Sequence, residues 1–85
     1  MSDPVLARVE AIVSGIAGSG RAVPSPGPQT PLGAQGYWLD SVDVLEVILA
    51  CEHEFGVQLA DAGDLTGETL ASLGTLTDLV RRKLP

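Results

Sequence analysis

The chain has 85 residues, 45% of them apolar, and a formal charge of -6 from eleven acidic and five basic side chains. A chain this short makes one domain, 1–85, which buries roughly 60–65% of its unfolded surface and has no room for a deep catalytic cleft. With one Trp, one Tyr and one Phe, the core must come from Leu, Val, Ile and Ala, which favours packed helices over a sheet.

The charge argues against nucleic acid, whose phosphates need a basic face. Eight acids lie between Asp40 and Glu68 with no Lys or Arg among them, so the middle of the molecule would steer basic partners toward it. One cysteine, Cys51, and one histidine, His53, make neither a disulfide nor a metal-ligand set. A reducing compartment is expected. Residues 1–20 lack the pattern of a signal peptide, and no apolar run reaches the ~20 residues of a membrane span. A cytoplasmic monomer with no membrane partner is the expectation.

In chain order, Ser2 and Asp3 before Pro4 form a helix-start signature. Val5, Leu6, Val9, Ile12, Val13 and Ile16 then recur at three- and four-residue spacing, which predicts an amphipathic helix ending near Gly15 to Gly18. Residues 18–36 hold four of the six prolines and half of the glycines. That composition predicts a long loop without helix or strand, pinned to the core by Val23 and Leu32.

A second helix is expected over "SVDVLEVILACEHEF", 41–55, stopped by Gly56. Val44, Ile48, Cys51 and Phe55 fall on its core stripe, and Asp43 and Glu46 on another face. Residues 57–64 read as a connection with Val57 and Leu59 packing inward. "GETLASL" predicts a short helical turn broken by Gly74, and "TLTDLVRRKL" a last helix opened by Thr75 and Asp78 at capping-box-like spacing. Leu76, Leu79, Val80 and Leu84 supply its apolar stripe, while Arg81, Arg82 and Lys83 suit the negative end of the helix dipole. The sum is an all-α, small four-helix bundle with a long first loop and a short third helix.

Local physics gives Ser41 the role of capping the second helix. Hydrolase chemistry is excluded on geometry: His53 lies twelve residues along the same helix, roughly 18 Å away. No Gly-x-Ser-x-Gly elbow surrounds the serine either. For Asp43, Glu46, Glu52 and Glu54 a solvated helix face is the simplest role, and for Cys51 a small buried hydrophobe.

The combined pattern adds another reading. "PLGAQGYWLDSVDVLEVILACEHEFGV" resembles the central motif of acyl carrier proteins, in which an Asp-Ser-aliphatic triplet starts the second helix and an E-x-x-F-G-like ending closes it. The likeness runs ungapped from Leu39 to Leu59, and "LASLGTLTDLVRRKL" resembles the family's closing segment. It implies a bundle of the acyl-carrier type and a non-enzymatic, free-standing carrier. Ser41 would bear 4'-phosphopantetheine, installed from coenzyme A by a phosphopantetheinyl transferase that supplies its own metal and base. It further implies a partner surface of Asp40, Val42, Asp43, Leu45, Glu46 and Leu49, and an acyl pocket lined by Ile48, Cys51, Phe55 and Leu59. Ketosynthase, acyltransferase or acyl-ligase type enzymes would be the partners.

Tyr37 and Trp38 depart from the Leu-Gly or Gly-Leu that often precedes the Asp-Ser pair in the family. They would cover the core beneath the loop, or contact the arm or a partner. With the proline-rich loop they tilt the expectation toward polyketide or specialised fatty-acyl assembly. Two rivals stand beside it: an aminoacyl or peptidyl carrier, which the acidic second helix disfavours, and an unmodified helical interaction module in which Ser41 only caps.

Overall fold

The computed structural model describes residues 3–21, 23–59 and 65–84. Among the described residues are three α-helices, α1 (Pro4–Ala17), α2 (Ser41–Phe55) and α3 (Leu73–Lys83), and one 3-10 turn (Ser19–Arg21) after α1. α1 packs against both other helices.

α1 starts where the Asp3 side chain accepts the Leu6 amide at 3.1 Å, with Pro4 just inside; Ser2 lies outside the described residues. Its inner face buries Val9, Val13 and Ala17, with Val5, Leu6, Ile12 and Ile16 half-buried beside them. The helix stops at Gly18, whose amide bonds the Ser14 carbonyl.

The proline-rich segment contains the 3-10 turn and one isolated bridge, between Pro31 and Ser72. The amides of Leu32, Leu73 and Gly74 bond the carbonyls of Ala71, Thr30 and Pro28, so the loop is stitched to the start of α3. Leu32 is buried and Val23 packs half-buried against the core, the two pins expected of them. Gly36 allows the chain to turn back on itself: a Cβ there would run into the Pro31 carbonyl.

α2 buries Val47, Ile48 and Cys51, and Val44 and Phe55 flank them half-buried. Gly56 takes the left-handed conformation at φ +66° and ends the helix. The Glu52 carboxylate then accepts the Leu59 amide at 2.7 Å, and Leu59 is buried in the core.

Three expectations about the C-terminal third are corrected. The short third helix is a turn over 67–70, so the described residues form three α-helices rather than a four-helix bundle. Thr66 and Thr69 bind each other's amides, and the Ala71 carbonyl is committed to Leu32. Both arrangements take backbone groups away from a continuing helix.

Gly74, moreover, breaks nothing. α3 starts at Leu73 with Ser72 as N-cap, and Ser72 and Thr75 exchange side-chain and backbone bonds as a capping box. Glycine is needed inside this first turn because a Cβ would lie 2.8 Å from the Pro28 oxygen. Asp78 is not a capping partner but pairs with Arg81, which also meets Asp3 and so ties the end of α3 to the start of α1.

The core joins these helix faces, including Leu73, Leu76, Leu79 and Val80 of α3, to Leu32, Tyr37, Leu39 and Leu59. Each fully buried Leu, Val or Ile among them contributes roughly 1.5–3 kcal/mol through burial. Thr77 is buried too, its hydroxyl donating to the Leu73 carbonyl at 2.7 Å.

Candidate functional site

Alternation sets the entrance to α2. Tyr37 and Leu39 are buried whereas Trp38 between them is 59% exposed. The Tyr37 hydroxyl lies 3.1 Å from Ser14 Oγ on α1, which anchors this approach to the bundle. Tyr37 therefore covers the core, one of the roles weighed for the pair, and Trp38 does not.

Asp40, not Ser41, is the N-cap. Its carboxylate accepts the Asp43 amide at 2.8 Å, and the Asp43 carboxylate accepts the Asp40 amide at 3.2 Å. The correction follows from backbone geometry: Asp40 is extended, at φ -89° and ψ -178°, and Ser41 is already the first helical residue.

Ser41 is consequently exposed, and its hydroxyl makes no hydrogen bond among the described residues. The amides of Ser41 and Val42 likewise lack protein acceptors there, leaving the positive end of α2 open beside the hydroxyl. A phosphate esterified at Ser41 fits this arrangement: it needs a free hydroxyl and gains from unpaired first-turn amides.

Sequence reasoning missed Arg21. From the 3-10 turn its guanidinium reaches the Ala17 and Trp38 carbonyls at 3.0 and 3.3 Å and Asp43 Oδ2 at 2.6 Å. Its hydrogen bond, followed by that from the Asp40 amide, holds the Asp43 carboxyl below the usual carboxylate range, and Asp43 raises Arg21 in return. An arginine in a Gly/Pro-rich stretch carries no local signal of a partner on another helix.

The expected surface is thus divided. Val42, Leu45 and Leu49 stand exposed along α2 with Asp40 and Glu46 exposed beside them. Asp43, by contrast, is engaged inward by Arg21.

Ile48, Cys51 and Leu59 are all buried in the common core. Phe55 is half-buried, with the Arg8 guanidinium 4.5 Å from its ring centre. Two surface clefts run along α3 instead, one bordered by Glu68, Thr75 and Arg82, the other by Leu6, Pro28 and Thr77, and neither includes those four residues. Burial, helped by the charge of Glu54, pushes the Cys51 thiol up to about 11. His53 is exposed, and its position along α2 keeps it from serving Ser41 as a base. Among the described residues there is no metal-ligand cluster and no helix long and apolar enough to cross a membrane.

The family described as the phosphopantetheine attachment site matches residues 7–82. The chain belongs to this family of carrier domains, which hold 4'-phosphopantetheine covalently. Comparisons with curated proteins and with solved structures give no match.

Proposed function

We propose that Ser41 is the attachment site and that the protein is an acyl carrier of polyketide or specialised fatty-acyl assembly. The observation that carries the reading is the serine hydroxyl at the first position of α2, exposed and unspent because Asp40 does the capping. In the modification, Ser41 Oγ forms a new P–O ester bond to the phosphopantetheine half of coenzyme A. The bond to the adenosine bisphosphate half breaks, and the hydroxyl proton leaves to the transferase. Once attached, the group supplies a mobile thiol on which acyl units ride as thioesters. The chain's own contribution is to present Ser41 on a fixed helix end.

Acyl rather than aminoacyl cargo is supported by the acidic flank of α2, Asp40 and Glu46, beside the exposed ridge of Val42, Leu45 and Leu49. Such a surface suits transient encounter with basic patches on successive enzymes, including ketosynthases, acyltransferases and acyl ligases, because rim charges act mainly on association rate. The core position of Ile48, Cys51 and Leu59, with Phe55 at the edge, makes them the groups that an acyl chain entering the bundle would displace.

Intact-protein mass before and after incubation with coenzyme A and a broad-specificity phosphopantetheinyl transferase tests the assignment. Wild type gains one phosphopantetheine and Ser41→Ala gains none. A folded wild type that several transferases leave unchanged would return Ser41 to a plain surface serine.

A further inference from the structure

Trp38 combines two features that folding does not reward. It is 59% exposed, and its backbone sits at φ +57°, a left-handed conformation that large side chains rarely adopt. Gly or Asn would hold the same turn without that strain. The conformation is fixed from both sides, by the Trp38 amide donating to the Gly33 carbonyl at 2.9 Å and by Arg21 donating to the Trp38 carbonyl. Among the described residues the exposed large apolar side chains are Trp38, Val42, Leu45 and Leu49, all within one segment around Ser41. Such clustering marks an interaction surface.

We propose that Trp38 is a docking residue for the phosphopantetheinyl transferase, extending the contact surface to the loop side of Ser41. This rests on the assignment of Ser41 as the attachment site. Charge complementarity sets the chemistry of the occupant, since Asp40 and Glu46 are exposed around the apolar ridge and no Lys or Arg occurs from 40 to 68, and the transferase is the basic partner that must reach Ser41 itself. The matching surface is basic and apolar. An indole face beside carboxylates takes an Arg or Lys of such a partner by cation–π contact while the carboxylates pair with its charge.

Trp38 is the single tryptophan of the chain, so 5-fluorotryptophan labelling puts one fluorine reporter at the site. In the Ser41→Ala background, where no transfer occurs, titration with the transferase shifts that resonance. In steady-state loading, Trp38→Asn, which tolerates the left-handed backbone, raises KM for the carrier by about ten-fold and leaves kcat within about two-fold. Trp38→Phe recovers part of the loss.

A fluorine resonance that does not move at saturating transferase overturns the proposal, whatever the variants do. So does a Trp38→Asn protein that melts like wild type and keeps its KM. A resonance that moves on conversion to the modified form but not with transferase would replace the enzyme by the arm as the occupant. Failure of wild type to be loaded at all would sink the attachment reading instead, and mass reports that separately.

Discussion

The Arg21 guanidinium stands 2.6 Å from the Asp43 carboxylate across 22 positions of sequence, and Asp43 in turn closes the capping box around the start of α2. One ion pair therefore ties the end of α1, the Trp38 carbonyl and the helix that carries Ser41. The pair is partly solvated, so its effect is sensitive to salt and pH.

Because the native Asp43 carboxyl is held below its ordinary value of 3.8, its contribution to stability is complete above that value and fades as the pH falls through the depressed native pKa. Arg21 stays charged throughout. Wild type is expected to lose more thermal stability than Asp43→Asn between roughly pH 5 and pH 2. Arg21→Gln should remove most of that difference, as melting curves across the range would show; parallel curves for all three proteins would refute the coupling.

The cap assignment separates two neighbouring residues. Asp40→Ala is expected to cost about 1 kcal/mol, lowering the melting temperature by roughly 4–8 °C for a domain of this size. Ser41→Ala, which removes no bond of the described structure, should stay within about 0.5 kcal/mol of wild type. Urea titration of both distinguishes this from a serine cap, for which the order would reverse.

Two glycines are required by close approach. Gly36→Ala would drive a methyl group into the Pro31 carbonyl, and Gly74→Ala would bring one to 2.8 Å from the Pro28 oxygen. Each is expected to cost about 2 kcal/mol or more, with the larger loss at Gly36, since backbone rather than a flexible side chain must yield. Gly67→Ala, which meets nothing within 4 Å, is the control in the same denaturation series.

Cys51 is buried with its thiol pushed up to about 11, so at pH 8 only about one in a thousand molecules is thiolate. Alkylation of the folded unmodified protein at that pH should be slow and become fast on unfolding, whereas the modified protein should show one fast thiol, from the arm. Mass spectrometry of the alkylated peptides checks both. The native value lies above that of the unfolded chain, so the associated stability is complete below the unfolded pKa and is lost as the pH rises toward 11. Cys51→Ala should flatten that alkaline decline.

What the sequence by itself determined is local or periodic. Valines and isoleucines at helical spacing predict α1 and its buried face, and the run from Ser41 to Phe55 closed by Gly56 predicts α2 at its observed bounds. The Asp-Ser-aliphatic frame was enough to suggest the family that the chain proves to belong to. These signals are readable because a helix repeats its environment every three or four residues, so neighbours in sequence report one another.

Only the tertiary structure decided the choices among locally equivalent options. Asp40 and Ser41 are comparable N-caps on intrinsic preference, and the extended backbone at Asp40 chose between them. Ser72 took the cap from Thr75, and Gly74 joined the helix, because Thr30 and Pro28 supply carbonyls to its first turn. Tyr37 went in and Trp38 out because Ser14 offers the phenol a partner on α1, while Gly33 and Arg21 hold the next residue left-handed. These decisions depend on groups from Ser14 to Arg21, from Pro28 to Asp43 and from Ser72 to Thr75 meeting in space. Periodicity cannot carry that information, because contacts between distant positions form only when the core closes around them.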